Sequence, residues 1–228
     1  MIAAAVLAAG LVDWGFVVDN AEEIWADLAQ HVLLTVLSVG LGLMLSFPLA
    51  VLSIRRPRLY PVVTSAAGLL YTIPALALMV TLLPIFGLSI WPVVVALTIY
   101  TLLILIRNIV AGVRGVPGDV REAATGMGLT GRQVLWRVEV PLALPVIMAG
   151  VRIATVSTVA LVTIGGLFGR GGLGQLMFEG LRLADTTRIV VGAVLSVALA
   201  LLAEALLLLL QRGLSPWARR AGVRAVGV

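Results

Sequence analysis

The chain has 228 residues, of which 61% are hydrophobic and 12% are charged, and its mean hydropathy is +1.14. All 16 basic residues are arginines; without lysine there is neither a Schiff-base nucleophile nor the phosphate-binding residue of a P-loop, so an ATP motor of that kind must be another chain. With no cysteine and one histidine, thiolate chemistry, disulfides, iron–sulfur clusters and multi-histidine metal sites are excluded or nearly so.

Five apolar runs of about 20 or more residues dominate the sequence. They extend over residues 31–54, 61–83, 90–113, 142–168 and 189–211. Runs of this length cross the roughly 30 Å hydrocarbon core of a bilayer as helices. The sequence therefore predicts an all-α polytopic membrane protein with five transmembrane helices and a transmembrane domain over residues 29–212.

Residues 1–28 precede the first run. Residues 1–12 are apolar but lack the basic region of a secretory signal, so we interpret them as an uncleaved interfacial segment. His31, at the start of the first run, is expected to lie at the interface as well. Small residues in the first run, Gly40, Gly42 and Ser46, would permit close packing in a dimer, although packing within one bundle explains them equally well.

The positions of the arginines predict the orientation. Eleven of them follow the first, third and fifth runs, whereas three lie in the loop between the fourth and fifth runs. Short cytoplasmic loops are rich in arginine. We therefore expect the N-terminus outside, and the interval 114–141 and the basic tail 213–228 in the cytoplasm. The net charge of +5 then reflects topology, and no nucleic acid is expected as a partner.

Thr72 and Pro74 interrupt the second run near mid-membrane. A proline frees a backbone carbonyl and bends a helix, so this break either places backbone groups on a transport pathway or is a packing kink.

Three ionisable residues lie within the third, fourth and fifth runs, namely Arg107, Arg152 and Glu204. At 1.5 Å per residue they share a depth of roughly 9 to 15 Å from the predicted cytoplasmic ends. Charges at that depth are costly unless paired, so Glu204 is predicted to pair with Arg107 or Arg152 as structural support. A proton relay is the alternative.

The interval 114–141 contains the sequence GVPGDVREAATG. Pro117 and Gly118 are expected to break the third helix, and Asp119 to cap a short amphipathic helix that glycines at 126 and 128 then terminate. The segment GMGLTG matches the GxGxxG dinucleotide fingerprint, but the required strand, helix and distant acid are missing, so a nucleotide site is not expected here.

Six glycines occur in the stretch GGLFGRGGLG, residues 165–174. Such backbone cannot face lipid unsatisfied, so it is expected at a dimer centre or outside the bilayer. We interpret it as an outer gate, with a plain turn as the alternative. The gate candidates are Gly165, Gly166, Phe168, Gly171 and Gly172.

A polar loop to Arg188 is expected next, and its charges either contact another protein or are merely solvated. They are Glu179, Arg182, Asp185 and Arg188.

The central interval resembles the cytoplasmic signature of ABC importer permeases, which reads EAA, three residues, G, nine residues, then aliphatic-x-aliphatic-Pro. The matching residues are Glu122, Ala123, Ala124, Gly128, Val138, Val140 and Pro141. The resemblance implies a type I importer permease whose loop docks in a groove of a partner ATPase. Small residues, Gly126 among them, would allow close approach, and Glu122, Arg121, Arg132 and Arg137 would reach outward to make polar contacts at the rim. A solvated loop with no partner is the alternative.

Further stretches, including TIPALAL and RNIVAGVRGVP, resemble osmoprotectant permeases that import glycine betaine, choline or carnitine. That resemblance implies a second permease subunit, identical or paralogous, two ATPase subunits that bind ATP and Mg, and an external binding protein, all at the bacterial inner membrane with its lipid. No cofactor, metal or enzymatic chemistry is expected in this chain. Tyr71 and Tyr100 become candidates for cation–π contact with a quaternary ammonium, with helix packing or lipid contact as the alternative.

Two alternatives remain open for the function. One is a permease for another small solute, such as an amino acid or a thiol-containing betaine. The other is an ATP-independent channel or secondary transporter, which would have to account for the complete EAA signature and for five helices without an inverted repeat.

Overall fold

A computed structural model describes residues 12–217, and the predictions for residues 1–11 and 218–228 lie outside that range. The described chain is helical. Its helices are α1 (Trp14–Asp19), α2 (Ala21–Arg55), α3 (Leu59–Thr72), α4 (Ala75–Phe86), α5 (Trp91–Arg114), α6 (Gly118–Gly126), α7 (Gly131–Phe168), α8 (Leu173–Leu183) and α9 (Thr186–Leu214).

Four of these helices, α2, α5, α7 and α9, are long and apolar enough to span a membrane. The pair α3 and α4 makes a fifth span if the two are counted together, and they meet at an angle of 91°. The predicted all-α membrane fold with about five spans is confirmed. The predicted interruption of the second run is confirmed, and it is larger than a packing kink, because the chain is extended at Ile73 and Pro74 and turns almost perpendicular.

Two other boundaries differ from the sequence prediction. Helix α7 begins at Gly131, inside the interval predicted as a loop, and continues through a π-helical turn at Leu135–Glu139 into the membrane-length segment. The residues after the glycine-rich stretch, predicted as a polar loop, form helix α8. Helix α8 is amphipathic, and its stability depends on burying Leu173 and Leu176 against the rest of the chain.

The core is arranged around α5, which packs against α2, α3, α4 and α7. One apolar cluster includes Leu34, Met79 and Leu97, and a second includes Leu105 and Ile109. Helix α9 lies at the periphery, and its most apolar window has no buried residues within this chain. Its outer face is therefore available to lipid or to another subunit.

Glycines let the spans of one chain approach closely. A Cβ at Gly42 would lie 1.9 Å from Thr101 Oγ1, and one at Gly150 would lie 2.4 Å from the Asn108 Cβ. A Cβ at Gly40, by contrast, would meet no atom of the described residues within 4 Å. Of the small residues considered for a dimer, Gly42 is thus used for packing within the bundle.

His31 is fully buried between helices of the chain, so it packs inside the protein, and its predicted depth at the membrane interface stays a prediction. Its Nε2 lies 3.0 Å from the Val159 carbonyl oxygen and joins α2 to α7. The backbone of Gly172 packs on the same turn, since a Cβ there would lie 2.6 Å from His31 N. The glycine-rich segment covers this part of α2. The periodicity of apolar residues along one helix does not reveal such a contact, because it depends on a distant segment.

Candidate transport pathway and ATPase-coupling surface

The break between α3 and α4 is stabilised by a tyrosine from the neighbouring span. The Tyr100 hydroxyl donates a hydrogen bond to the Ile73 carbonyl, and the Ile73 amide bonds to the Leu70 carbonyl at 3.3 Å. The ring centroids of Tyr71 and Tyr100 are 5.1 Å apart. A hydroxyl from α5 thus satisfies backbone that the 91° turn would otherwise leave unpaired.

The predicted pathway candidates at this break differ in exposure. Tyr71 and Thr72 are exposed, whereas Tyr100 is buried. Both tyrosines line a cavity of about 10 Å³ beside Ser157 and Thr158 of α7. That volume is about the minimum for one water molecule. In this conformation the tyrosine pair therefore packs, and contact of these rings with a solute stays a prediction.

The glycine-rich segment is tightly packed. Gly165 and Gly166 end α7 in a 3₁₀ turn, and Gly169 and Gly172 have positive φ angles of 68° and 51°. A Cβ at Gly171 would lie 1.9 Å from Gly166 N. The chain doubles back with backbone against backbone, which only glycine permits. Its own chain, including α2, covers much of this backbone, and its predicted position at a dimer centre or outside the bilayer, like its role as an outer gate, stays a prediction.

The intramembrane charges form a pair. Glu204 accepts hydrogen bonds from the Arg152 guanidinium, with Nε to Oε1 at 2.9 Å. Gln211 extends the network, because its Oε1 accepts from Arg152 Nη1 at 3.1 Å and its Nε2 donates to the Pro145 carbonyl at 3.3 Å. Pairing of Glu204 with one of the two candidate arginines is confirmed, and the network joins α7 to α9.

Arg107 does not belong to that cluster. It is exposed, and in the described part of the chain it forms no ion pair. The shared depth of the three residues was the basis for grouping them, but depth does not fix the direction in which a helix presents a side chain. Gln211 was not anticipated, because an uncharged residue near a helix end gives no signal in sequence.

Helix α6 contains the EAA residues and is called the EAA helix below. Glu122, Ala123, Gly126 and Gly128 are exposed, and Ala124 is buried, 2% exposed, against the chain. Gly128 ends the helix with a φ of +85° and has open space around it. The helix presents small exposed residues on its outer side, and its sharp end requires glycine.

Two predictions about the start of the EAA helix are wrong in detail. Asp119 lies inside the first turn, and its side chain accepts only from the adjacent Val120 amide, so Asp119 is not the N-cap. Arg121 does not reach outward. Its Nη2 donates to the Val113 carbonyl, and its Nε lies 2.6 Å from Glu139 Oε1. Arg121 therefore connects the EAA helix to the end of α5 and to α7.

Helix α7 begins at an exposed capping box between Thr130 and Gln133. Arg132 is exposed beside it. The π-helical turn follows, where the Val140 amide bonds to the Leu135 carbonyl just before Pro141. A proline has no amide hydrogen, and π turns are common where the regular ladder is disturbed. Pro141, the last residue of the EAA signature, thus lies in helix α7, close to the start of its membrane-length segment.

The architecture defines an integral membrane protein: four apolar spans and a fifth, broken one pack around α5, and an exposed short helix is bound to the ends of two spans. Residues 38–220 match the family described as binding-protein-dependent transport system inner membrane component, and the chain belongs to that family. It is a permease component of an ABC importer, and such a component works with an ATPase and a substrate-binding protein.

Curated relatives match over most of their length. The osmoprotectant import permease protein OsmW of Salmonella typhimurium is 37% identical, over 88% of this chain and 96% of that protein. The carnitine transport permease protein OpuCB of Listeria monocytogenes is 36% identical, over 90% and 94%. The choline transport system permease protein OpuBB of Bacillus subtilis is 33% identical, over 88% and 93%.

Solved structures share the fold. A chain of the MetNI methionine ABC transporter, in a structure described as inward facing, superposes with a TM-score of 0.77 at 23% identity, over 86% of this chain and 98% of that one. A chain of an amino acid ABC transporter superposes with a TM-score of 0.73 at 21% identity, over 88% and 98%. These likenesses establish the type I importer permease architecture and nothing about the solute.

Proposed function

We propose that this chain is the permease subunit of an ATP-driven importer for quaternary ammonium osmoprotectants, such as glycine betaine, choline or carnitine. The solutes in the names of its relatives support this substrate class. The predicted spans contain no acid near mid-membrane. This fits solutes whose quaternary ammonium group is balanced by a carboxylate of the same solute, or can be held by aromatic rings instead of an acidic side chain.

The observation that carries the proposed coupling role is the attachment of the EAA helix. Its exposed small residues leave room for close approach of a partner, and Arg121 binds it to the ends of α5 and α7 through Val113 and Glu139. A displacement of the EAA helix is therefore transmitted to two spans. Glu122, Ala123, Gly126, Gly128 and Arg132 are the proposed ATPase contacts, whereas buried Ala124 and half-buried Pro141 hold the structure beneath them.

The proposed complex contains two permease subunits, identical or paralogous, two ATPase subunits that hold ATP and Mg, and an external binding protein. The arginine distribution supports an orientation with the N-terminus outside and the EAA helix in the cytoplasm. ATP binding would close the ATPase pair, move the EAA helices together and open the pathway outward. Residues 1–28 and 213–228 are the proposed external and cytoplasmic segments.

The experiment is uptake of labelled glycine betaine, choline and carnitine into vesicles that contain the complete complex, its binding protein and ATP. Uptake of at least one of them, dependent on ATP and on the binding protein, is the expected result. Labelled methionine and histidine serve as controls for the alternative of an amino acid permease. Uptake without ATP, or purification of the chain from its native membrane without an associated ATPase, would contradict the proposal.

A further inference from the structure

A cavity of about 390 Å³ lies where the glycine-rich segment meets α8. Its lining includes Phe168, Gln175, Phe178, Glu179 and Arg182. The volume is within the range of about 300 to 1,000 Å³ that small-molecule sites occupy. The lining combines two aromatic rings with one carboxylate and one guanidinium, which is unusual in a chain that is only 12% charged and 6% aromatic.

The two phenylalanine rings in the lining are partly buried, and Phe168 also packs against the apolar cluster that includes Leu34. Within residues 12–217 neither Phe168 nor Phe178 stacks on another ring or carries a guanidinium. Phe16, by contrast, already has the Arg188 guanidinium 4.7 Å from its ring centroid. An aromatic face in a cavity without such a partner attracts a cation that cannot donate hydrogen bonds, which describes a quaternary ammonium group.

The carboxylate in the cavity is held in place and is not fully neutralised. Glu179 Oε2 lies 3.1 Å from Arg188 Nη1, and Gln175 Nε2 donates to Glu179 Oε1 at 3.3 Å. The same guanidinium also lies 3.2 Å from Asp185. The Arg188 guanidinium is thus paired with two carboxylates. The group of Glu179, Asp185 and Arg188 therefore keeps a net negative charge beside the aromatic rings.

The guanidinium in the lining is free. Arg182 is exposed, and within the described part of the chain it has no ion pair or side-chain hydrogen bond. It lies one turn from Phe178 on the same helix, and Glu179 lies three residues before it. A free guanidinium can bind a carboxylate through two parallel hydrogen bonds.

We propose that this cavity binds zwitterionic quaternary ammonium solutes, with the ammonium group between the rings of Phe168 and Phe178 near Glu179 and the solute carboxylate at Arg182. The inference rests on the proposed function and assigns a binding site on the permease itself. It places a weak site at the glycine-rich end of α7, where the solute is held by charge and aromatic contact. A cation without a carboxylate uses only the aromatic half of this site.

Saturation-transfer NMR on the complete complex in lipid nanodiscs, without binding protein, tests the site with two probes, glycine betaine and choline. Arg182→Gln is expected to weaken glycine betaine binding by about three- to tenfold, as for loss of one ordinary hydrogen bond at an exposed position, and to leave choline binding unchanged or stronger, because it removes a positive charge near the cation. Arg182→Lys restores part of the effect. Phe178→Leu weakens both probes, and Leu181→Ala, an exposed neighbour outside the lining, affects neither.

A general folding defect lowers binding of both probes equally, so the difference between the probes is the measurement that decides. Equal loss of both probes with Arg182→Gln, or no change with either Arg182→Gln or Phe178→Leu, would overturn the site. The proposed function is tested separately by uptake. If the unmodified complex imports these solutes but the variants bind both probes normally, the site fails and the function stands. If no solute is imported while the probe difference appears, the function fails and the site stands.

Discussion

Arg121 Nε lies 2.6 Å from Glu139 Oε1 and joins the EAA helix to the π-helical turn at the base of α7. The same guanidinium donates to the carbonyl of Val113 at the end of α5. One side chain thereby attaches the EAA helix to the ends of two spans, α5 and α7, which already pack against each other. Under the proposed function this connection carries the movement of an ATPase to the spans.

Arg121→Ala is expected to leave the folded permease and its ATPase association intact but to raise the ATP hydrolysed per solute imported, because the EAA helix is then attached less firmly to α7. Glu139→Ala is expected to act in the same direction. The double variant should be no worse than either single variant, with a coupling free energy of about 0.5 to 1 kcal/mol for a partly exposed pair. Uptake and ATPase rates in the same vesicles provide the measurement.

The control for that prediction is Arg137→Ala, which removes an exposed arginine of the same interval that forms no ion pair within residues 12–217. If Arg137→Ala changes the ratio of ATP to solute as much as Arg121→Ala does, general charge in this interval matters and the specific connection does not.

Gly128→Asp is expected to leave membrane insertion intact and to reduce co-purification of the ATPase. Gly128 has a φ of +85°, where a Cβ adds roughly 1 to 2 kcal/mol of strain, and it is exposed at the end of the EAA helix. Gly213→Asp is the matched control, since Gly213 also has open space but lies at the end of α9. Equal ATPase yields from the two variants would remove Gly128 from the docking surface.

Tyr100→Phe removes the hydroxyl that satisfies the Ile73 carbonyl at the break between α3 and α4. Leaving this partly buried carbonyl unpaired costs about 1 kcal/mol or more, so the variant should unfold at a lower temperature in detergent. Tyr60→Phe is the control, because the Tyr60 ring contacts Arg114 and its hydroxyl has no hydrogen bond within the described residues. A melting temperature unchanged by Tyr100→Phe would show that another donor, such as water, can hydrogen-bond to the Ile73 carbonyl equally well.

Glu204→Gln leaves Arg152 without its carboxylate partner. If the pair is structural, the variant melts a few degrees lower, while uptake per folded complex stays the same. Arg107→Gln should change neither quantity, since Arg107 is exposed and outside the network. Normal folding with lost uptake in Glu204→Gln would indicate a role in transport, such as the proton relay, and would contradict structural support.

Gly171→Ala introduces a Cβ that would lie 1.9 Å from the Gly166 amide nitrogen. Backbone cannot yield as a flexible side chain does, so we expect a loss of about 3 kcal/mol or more in stability. Gly40→Ala, in a helix with open space around it, should be neutral or stabilising by up to about 1 kcal/mol. Comparable yields and melting temperatures for the two variants would mean that the glycine-rich segment repacks freely.

The spans and the EAA signature were determined by the sequence itself, because hydropathy over a window of residues and fixed motif spacing are properties of a local stretch of chain. Tertiary structure decided which side chains meet. It selected Arg152 over Arg107 as the partner of Glu204, buried His31 under the glycine-rich segment, stabilised α8, and turned Arg121 toward Glu139. Each of these depends on how far one helix is rotated and where another crosses it, and packing between distant segments fixes both.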